Sequence, residues 1–186
     1  MTEITAIREE LNNKSSKAVK ISTLKFIPSA RGVYGVKFSV LNKIAKKYRD
    51  SQVELILNLW KSNRFEEQIL ATKILVYFSR KYPEAAFKFI ISAPSNIFDW
   101  AVCDTLATQA IRPMILIKHK QIFGLSRKLA SSENVWKRRF GIVLLVNFAK
   151  DKNLTKDIKT ILDLVNGDEE YYVKKAADWV ERNLQK

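Results

Sequence analysis

The sequence predicts an all-α protein, and two observations support that prediction. Only 5 Gly and 4 Pro occur in 186 residues, and apolar residues recur at spacings of three and four in almost every segment between them. This spacing follows the 3.6-residue period of an amphipathic helix. The length suits one compact domain over residues 1–186, which buries roughly 70% of the surface that the unfolded chain exposes.

Eleven helices are predicted along the chain. Their expected spans are 2–13, 16–23, 39–50, 52–62, 64–81, 83–92, 98–111, 113–130, 133–150, 154–165 and 168–184. The breaks between them coincide with helix-ending residues, namely Pro28, Gly32, Gly35, Pro94, Pro113 and the pair Asn166-Gly167. Residues 25–37 form the only extended irregular region, which we expect to be mobile or to close over a ligand.

The four tryptophans recur at regular intervals along these helices. The intervals are 40 residues from Trp60 to Trp100, 36 from Trp100 to Trp136, and 43 from Trp136 to Trp179. Helix pairs that recur at about 40–47 residues are typical of HEAT-type repeats, which stack into a curved solenoid with one concave face. Residue identity between the repeats is slight, so this architecture follows from helix count and period.

The charge of the chain indicates a polyanionic partner. Lys and Arg number 33 against 19 Asp and Glu, which gives a net charge of +14. We expect the concave face to be basic and nucleic acid to be the partner. An anionic membrane fits less well, because no segment combines a basic face with a large exposed apolar one. A charge that serves only solubility is the alternative.

The remaining composition predicts a cytoplasmic protein without a membrane partner. Cys103 is the single cysteine and lies on an apolar helix face, which is typical of a buried, inert thiol in a reducing compartment. The N-terminal segment lacks the basic and apolar regions of a secretory signal. The longest aliphatic run, IVLLV, is far shorter than the ~18 residues of a membrane span.

Trp100 and Asp104 form the first candidate site. Residues i and i+4 share one helix face, so the pair would project an aromatic ring and a carboxylate side by side. Both lie outside the apolar stripe of their helix, which comprises Val102, Cys103, Leu106 and Ala110. The alternative is a Trp packed at the edge of the core beside a solvated Asp.

Arg139 interrupts a helix that is apolar almost all round. Apolar residues lie one turn before it and one turn after it, whereas Lys137 and Arg138 point elsewhere. A buried guanidinium keeps its charge, so it requires a carboxylate, a phosphate or several carbonyl oxygens. Two interpretations stay open, a functional contact or a structural ion pair to a neighbouring repeat, for which Asp104 is a candidate partner.

The last helix brings aromatic and basic side chains together. Tyr172 and Trp179 lie along the edge of its apolar stripe, next to Lys175 and Arg182. Aromatic faces beside positive charge suit stacking against a base or sugar while the basic groups hold phosphates. The alternative is that these aromatic rings close the end of the solenoid.

Several kinds of catalytic site are not expected from this sequence. His119 is the only histidine and Cys103 the only cysteine, which leaves no set of zinc ligands. The glycines are too few and too scattered for a phosphate-cradling loop. An enzyme with this sequence would use Asp, Arg and aromatic side chains, with no metal and no nucleotide cofactor.

Five short motifs occur in a fixed order along the chain. They are YGV at 34–36 before the helix LNKIAKKY, LW at 59–60, WxxxD at 100–104, WxxR at 136–139 and KAxxW at 175–179. With these motifs the chain resembles the AlkD-like DNA alkylation-repair glycosylases over roughly residues 34–182. The resemblance implies a HEAT-like solenoid whose concave basic surface holds duplex DNA.

The resemblance also implies an activity and a set of site residues. The activity is the release of N3- or N7-alkylated purines from double-stranded DNA by cleavage of the N-glycosidic bond. Asp104 is the implied catalytic carboxylate, Trp100 and Trp179 are the aromatic walls, and Arg139 is the phosphate-side arginine. The further residues expected to contact DNA are Trp136, Arg138, Tyr172 and Lys175.

The sequence is therefore consistent with three functions. The first is a monomeric glycosylase, in which the implied catalytic residue is Asp104. The second is a non-catalytic binder of distorted or branched DNA, which would bind in a salt-sensitive way whatever stands at position 104. The third is a HEAT-type scaffold for an acidic protein, which would not bind DNA at physiological salt.

Overall fold

A computed structural model describes residues 2–185, and within that range the chain is helical with no strand. The predicted all-α fold is thus confirmed. The α-helices of the described range are α1 (Glu3–Asn13), α2 (Lys17–Phe26), α3 (Phe38–Lys47), α4 (Val53–Lys61), α5 (Phe65–Lys81), α6 (Pro83–Ser92), α7 (Trp100–Thr105), α8 (His119–Ala130), α9 (Val135–Leu144), α10 (Thr155–Leu162) and α11 (Tyr171–Leu184).

Contacts between the helices follow the order of the chain. The odd-numbered helices lie side by side, with α3 against α5, α5 against α7, α7 against α9 and α9 against α11. Even-numbered helices pack on them, as α4 and α6 do on α5 and α8 does on α9. Packing between near neighbours is typical of a helical repeat array. The architecture therefore agrees with the repeats predicted from the Trp spacing.

The predicted helix over 113–130 is wrong at its N-terminal end. A 3-10 turn at Arg112–Met114 is followed by a non-helical link, and α8 begins only at His119. Lys118 in this link is buried and forms an ion pair with Glu84 of α6, whereas Leu116 is 94% exposed. The link is therefore held to α6 by a charge contact that apolar periodicity does not reveal.

Helix α5 lies at the centre of the fold and is buried along most of its length. Its first turn carries two fully buried carboxylates, Glu66 and Glu67. Glu67 accepts two hydrogen bonds of 3.1 Å from the guanidinium of Arg8 on α1 and one of 2.7 Å from the Tyr34 hydroxyl. Buried charges require such partners, and these tie α1 and the irregular region to α5.

Glu66 holds the backbone of the 34–36 segment. Its carboxylate accepts the backbone N–H groups of Tyr34 at 2.9 Å, Gly35 at 2.7 Å and Val36 at 3.1 Å. Gly35 has a φ of 92°, and a Cβ there would lie 2.5 Å from the carbonyl oxygen of Ser16. Only glycine fits this position. The three hydrogen bonds to Glu66 anchor the segment just before α3 to the first turn of α5.

Helices α8 and α9 meet through a direct backbone contact at Gly141. The Ser126 hydroxyl donates to the Gly141 carbonyl at 2.6 Å. A Cβ added at Gly141 would lie 2.8 Å from the Ser126 carbonyl oxygen and 2.9 Å from the Ala130 nitrogen. Glycine therefore sets the distance between these two helices.

Substitution of two helical glycines should change stability in opposite directions. Gly141→Ala is expected to lower the free energy of unfolding by about 1–3 kcal/mol, because the new methyl group meets rigid backbone atoms. Gly124→Ala on α8 meets nothing within 4 Å, so the higher helix propensity of Ala should raise it by up to ~1 kcal/mol. Urea denaturation of both variants measures the two changes. Stabilisation by Gly141→Ala would contradict the close approach.

Candidate active site

The structure joins Asp104 on α7 to Arg139 on α9 in a bidentate ion pair. Arg139 Nε lies 3.0 Å from Asp104 Oδ1, and Nη2 lies 2.8 Å from Oδ2. The third nitrogen, Nη1, donates to the Tyr172 carbonyl of α11 at 2.5 Å. One guanidinium thus links three helices, and the ion pair proposed from sequence as an alternative is present.

Asp104 is a partly exposed carboxylate in a fixed orientation. Its side chain is 18% exposed, whereas that of Arg139 is 6% exposed. Burial raises the pKa of Asp104, and the hydrogen bonds and charge of Arg139 oppose that rise. The neighbouring Cys103 is fully buried, and burial raises the pKa of its thiol well above the usual value. The thiol therefore stays protonated, as expected of an inert cysteine.

Helix α7 begins at Trp100 because Asp99 caps it. Asp99 Oδ1 accepts the backbone N–H of Val102 at 2.8 Å, which satisfies one of the free donors at the helix start. The Asp99 side chain is nevertheless buried, and this burial raises its pKa to about 6. The charge of Asp104 also raises the pKa of Asp99, while the backbone hydrogen bonds lower it. Two acidic groups thus lie in one poorly solvated region.

Trp100 is bound to the end of α2. Its Nε1 donates to the Phe26 carbonyl at 3.3 Å, although α2 itself contributes no buried side chain. Arg31 in the following irregular region lies 3.6 Å from the ring centroid of Phe98. The irregular region is therefore adjacent to the candidate site. Phe26 is 69% exposed, and its link to Trp100 spans 74 residues, so no local pattern in the sequence indicates it.

Helix α7 continues into a π turn at Leu106–Ala110. Within it, the Thr108 hydroxyl donates to the Asp104 carbonyl at 2.7 Å, and Asn147 Nδ2 donates to the Ala107 carbonyl at 2.9 Å. Such turns are rare and frequent at functional sites. The predicted single helix over 98–111 is therefore divided after Thr105, one residue beyond the candidate carboxylate.

An aromatic cluster borders Arg139 on the side of α11. The Trp136 ring lies 5.0 Å from that of Tyr172, at an interplanar angle of 35°. Tyr171 packs edge-on against Tyr172 at 5.3 Å, and Lys175 Nζ lies 5.6 Å from the Tyr171 ring centroid. The structure thus brings together three predicted site residues, Trp136, Tyr172 and Lys175. Tyr171, which is 61% exposed, was not predicted; the YY dipeptide was the available signal.

Trp179 and Arg138 are two further residues that the sequence predicted at the site. Trp179 is partly buried on α11, two turns after Tyr172 and on the same face. Arg138 is bound within the protein, since its Nε lies 2.6 Å from Asp168 and its Nη1 donates to two carbonyls of the 132–133 turn at 2.9 Å. Contacts of both side chains with DNA stay predictions.

The helical array and this set of residues were compared with known proteins. A family model described as "DNA alkylation repair enzyme" matches residues 7–186. The chain belongs to this family. A search of curated proteins returned no match.

Membership of the DNA alkylation repair enzyme family confirms the resemblance inferred from the five motifs. The family acts in the repair of alkylation damage, so DNA is the substrate of the protein. Within residues 2–185, no cluster of three or more His, Cys, Asp or Glu could hold a metal ion. In the same range, no helix is both long enough and apolar enough to cross a membrane.

The raised pKa of Asp99 predicts that Asp99→Asn stabilises the protein increasingly as pH rises. Because the pKa of Asp99 is raised, the protonated side chain favours the folded state. This stabilisation is complete below pH 3.8 and is lost as the pH rises through about 6. Asn keeps a capping oxygen without the buried charge. At ~1.4 kcal/mol per pKa unit, the variant should gain up to about 3 kcal/mol relative to the wild type between pH 4 and pH 8.

Urea denaturation at pH 4, 6 and 8 measures this difference. Asp157→Asn is the control, because Asp157 is an exposed carboxylate in the first turn of α10. A stability difference between Asp99→Asn and the wild type that is the same at pH 4 and pH 8 would show that Asp99 titrates normally.

Proposed function

We propose that the protein is a DNA glycosylase that releases cationic N3- or N7-alkylated purines from double-stranded DNA. The observation that supports this most is Asp104, a partly exposed carboxylate held by Arg139 on the helix that begins with Trp100. The family match and the net charge of +14 support DNA as the substrate. We further propose that a basic concave face of the repeat array holds the duplex, and that the protein acts as a monomer without a metal.

The proposed chemistry is hydrolysis of the bond between C1′ and the purine. Alkylation gives the purine a positive charge, so the electron pair of the breaking bond neutralises the departing base. The sugar becomes cationic at C1′, and a carboxylate beside it stabilises that charge and orients water. The water oxygen bonds to C1′, and its proton passes to Asp104 and then to solvent.

Arg139 is proposed to position Asp104 and not to bind a phosphate. All three of its nitrogens donate to groups of the protein, and only 6% of its side chain is exposed. A bidentate pair fixes both carboxylate oxygens and leaves each with a further lone pair. The phosphate contact that the family resemblance implies therefore falls to other basic side chains.

The aromatic side chains are proposed to select the charged lesion. Tryptophan faces attract cations by ~0.5–2 kcal/mol, more when the contact is desolvated. Trp100 stands one helical turn before Asp104 on α7, and the neighbouring rings of Trp136 and Tyr172 border Arg139. The further residues proposed to contact DNA are Trp179, Lys175 and Arg138.

Asp104→Asn should abolish most base release while duplex binding persists. Loss of one electrostatic contact to a transition state typically lowers the rate by about 10²–10³-fold, and we expect an effect of that size on 7-methylguanine release from methylated duplex. Asp178→Asn, an exposed carboxylate on α11, is the matched control. Retained release by a folded Asp104→Asn variant would remove Asp104 from the chemistry.

The variant also weakens a structural contact, so thermal unfolding is measured in parallel. If Asp104→Asn fails to fold, the double variant Asp104→Asn/Arg139→Gln takes its place. It removes both buried charges, and replacing a whole ion pair is less destabilising than removing one partner. A folded double variant that releases base at the wild-type rate would equally overturn the proposal.

A non-catalytic DNA binder is the second candidate, and one observation favours it. Both oxygens of Asp104 accept hydrogen bonds from Arg139, as in a purely structural ion pair. A wild-type protein that binds branched duplex in a salt-sensitive manner and releases no base would support this function. A protein-interaction scaffold would show no binding of duplex at physiological salt.

A further inference from the structure

We propose that Arg80 and Arg112 form a binding site for a DNA phosphate next to the candidate active site. This inference rests on the proposed action on duplex DNA and adds a contact that the five motifs do not contain. The two arginines line a cleft of about 680 Å³. Its other lining residues are Val76, Thr108, Gln109 and Pro113.

Three elements build the cleft. Arg80 lies in the last turn of α5, Thr108 and Gln109 belong to the π turn, and Arg112 begins the 3-10 turn that follows. The Thr108 hydroxyl is bonded to the Asp104 carbonyl, which fixes this wall relative to the candidate carboxylate. The cleft is thus part of the same rigid unit as the site.

The two guanidiniums have hydrogen-bonding capacity that the protein does not use. Within residues 2–185, neither Arg80 nor Arg112 forms an ion pair, whereas Arg8, Arg138 and Arg139 each bind a carboxylate. Each guanidinium carries five N–H donors in a planar fork that matches the oxygens of a phosphate. Two such groups at one cleft form a site for a phosphodiester.

Arg80 is oriented without the use of these donors. Its guanidinium lies 5.9 Å from the ring centroid of Tyr77, which attracts the cation through the ring face. A structural alternative is that both arginines neutralise the carbonyl ends of their helices. Neither makes a hydrogen bond to a backbone carbonyl of the described residues, so that alternative leaves their donors unexplained.

The cleft lies about one helical turn from the candidate carboxylate along the α7 direction. Thr108 lies one turn after Asp104, which corresponds to about 6 Å along a helix axis. Phosphates of one strand follow one another at about 3.4 Å of duplex axis. A strand that ran along α7 with its sugar at Asp104 would bring a phosphate one or two nucleotides away to the cleft. Arg139 is already bonded within the protein and would not balance the charge of that phosphate.

The first test measures how salt weakens binding of an undamaged duplex. The double variant Arg80→Gln/Arg112→Gln should reduce the slope of log K against log salt by about 0.9, the value for one phosphate contact. Arg127→Gln on α8, an exposed arginine that lines a different cleft with His119, is the control and should keep the slope. Thermal unfolding of the double variant should match the wild type, because no internal hydrogen bond is lost.

The second test locates the phosphate. In a duplex with one abasic analogue, single phosphates are replaced in turn by neutral methylphosphonates. Replacement of one phosphate within two nucleotides of the analogue should weaken binding by the wild type. The same replacement should leave binding by the double variant unchanged. Equal sensitivity of both proteins at every position would overturn the site, as would tight binding of inorganic phosphate by the wild type with unchanged duplex binding by the variant.

The results separate this inference from the proposed function. Base release by the wild type together with an unchanged slope in the double variant sinks the cleft alone. A reduced slope without any base release by the wild type keeps the cleft and sinks the glycosylase.

Discussion

The ion pair between Arg139 and Asp104 is the contact on which both the array and the candidate site depend. The guanidinium bonds to α7 through the Asp104 carboxylate and to α11 through the Tyr172 carbonyl, while its own backbone belongs to α9. Removing one partner of a buried pair typically costs about 3–5 kcal/mol, because the other charge is left without compensation. The bond that orients the proposed catalytic oxygens is therefore also a bond between consecutive repeats.

Two buried carboxylates on α5, Glu66 and Glu67, likewise join separate elements of the fold. Glu66 and Glu67 hold the 34–36 segment and α1 to the first turn of α5. Apolar side chains pack without strong directional preference, whereas charged hydrogen bonds fix which elements meet and at what angle. Glu66 and Glu67 thus position α1 and the irregular region on α5, and the partly exposed Asp104 positions α7 on α9.

The helices could be predicted from sequence because their apolar period is a local property. Contacts between residues distant in sequence could not, and two of the misplaced helix boundaries lie beside such a contact. The late start of α8 reflects the ion pair of Lys118 with Glu84, and the division of the 98–111 helix coincides with the bond from Asn147 to Ala107. These contacts depend on the folded chain, and the apolar period of the sequence does not reveal them.

The candidate site was predictable to a similar extent. Spacing alone placed Trp100 and Asp104 on one face, and the apolar setting of Arg139 showed that it needs an oxygen partner. The sequence left the identity of that partner open, and Arg138 beside it was not expected to bind Asp168, thirty residues away. The unpaired state of Arg80 and Arg112 was equally hidden, because it depends on where every carboxylate of the fold lies.

The hydrogen bond from Trp100 to Phe26 joins the candidate site to the least anchored helix of the molecule. Because α2 buries no side chain, little free energy opposes its detachment, and it belongs to the class of elements that open before a core unfolds. Detachment would break the hydrogen bond to the indole N–H, while the packing of the Trp100 ring against the core and the Asp104 pair stayed intact. The position of the Trp100 side chain would then become less well fixed on warming, well below the melting temperature of the helical array. Activity and folding would therefore have separate thermal limits.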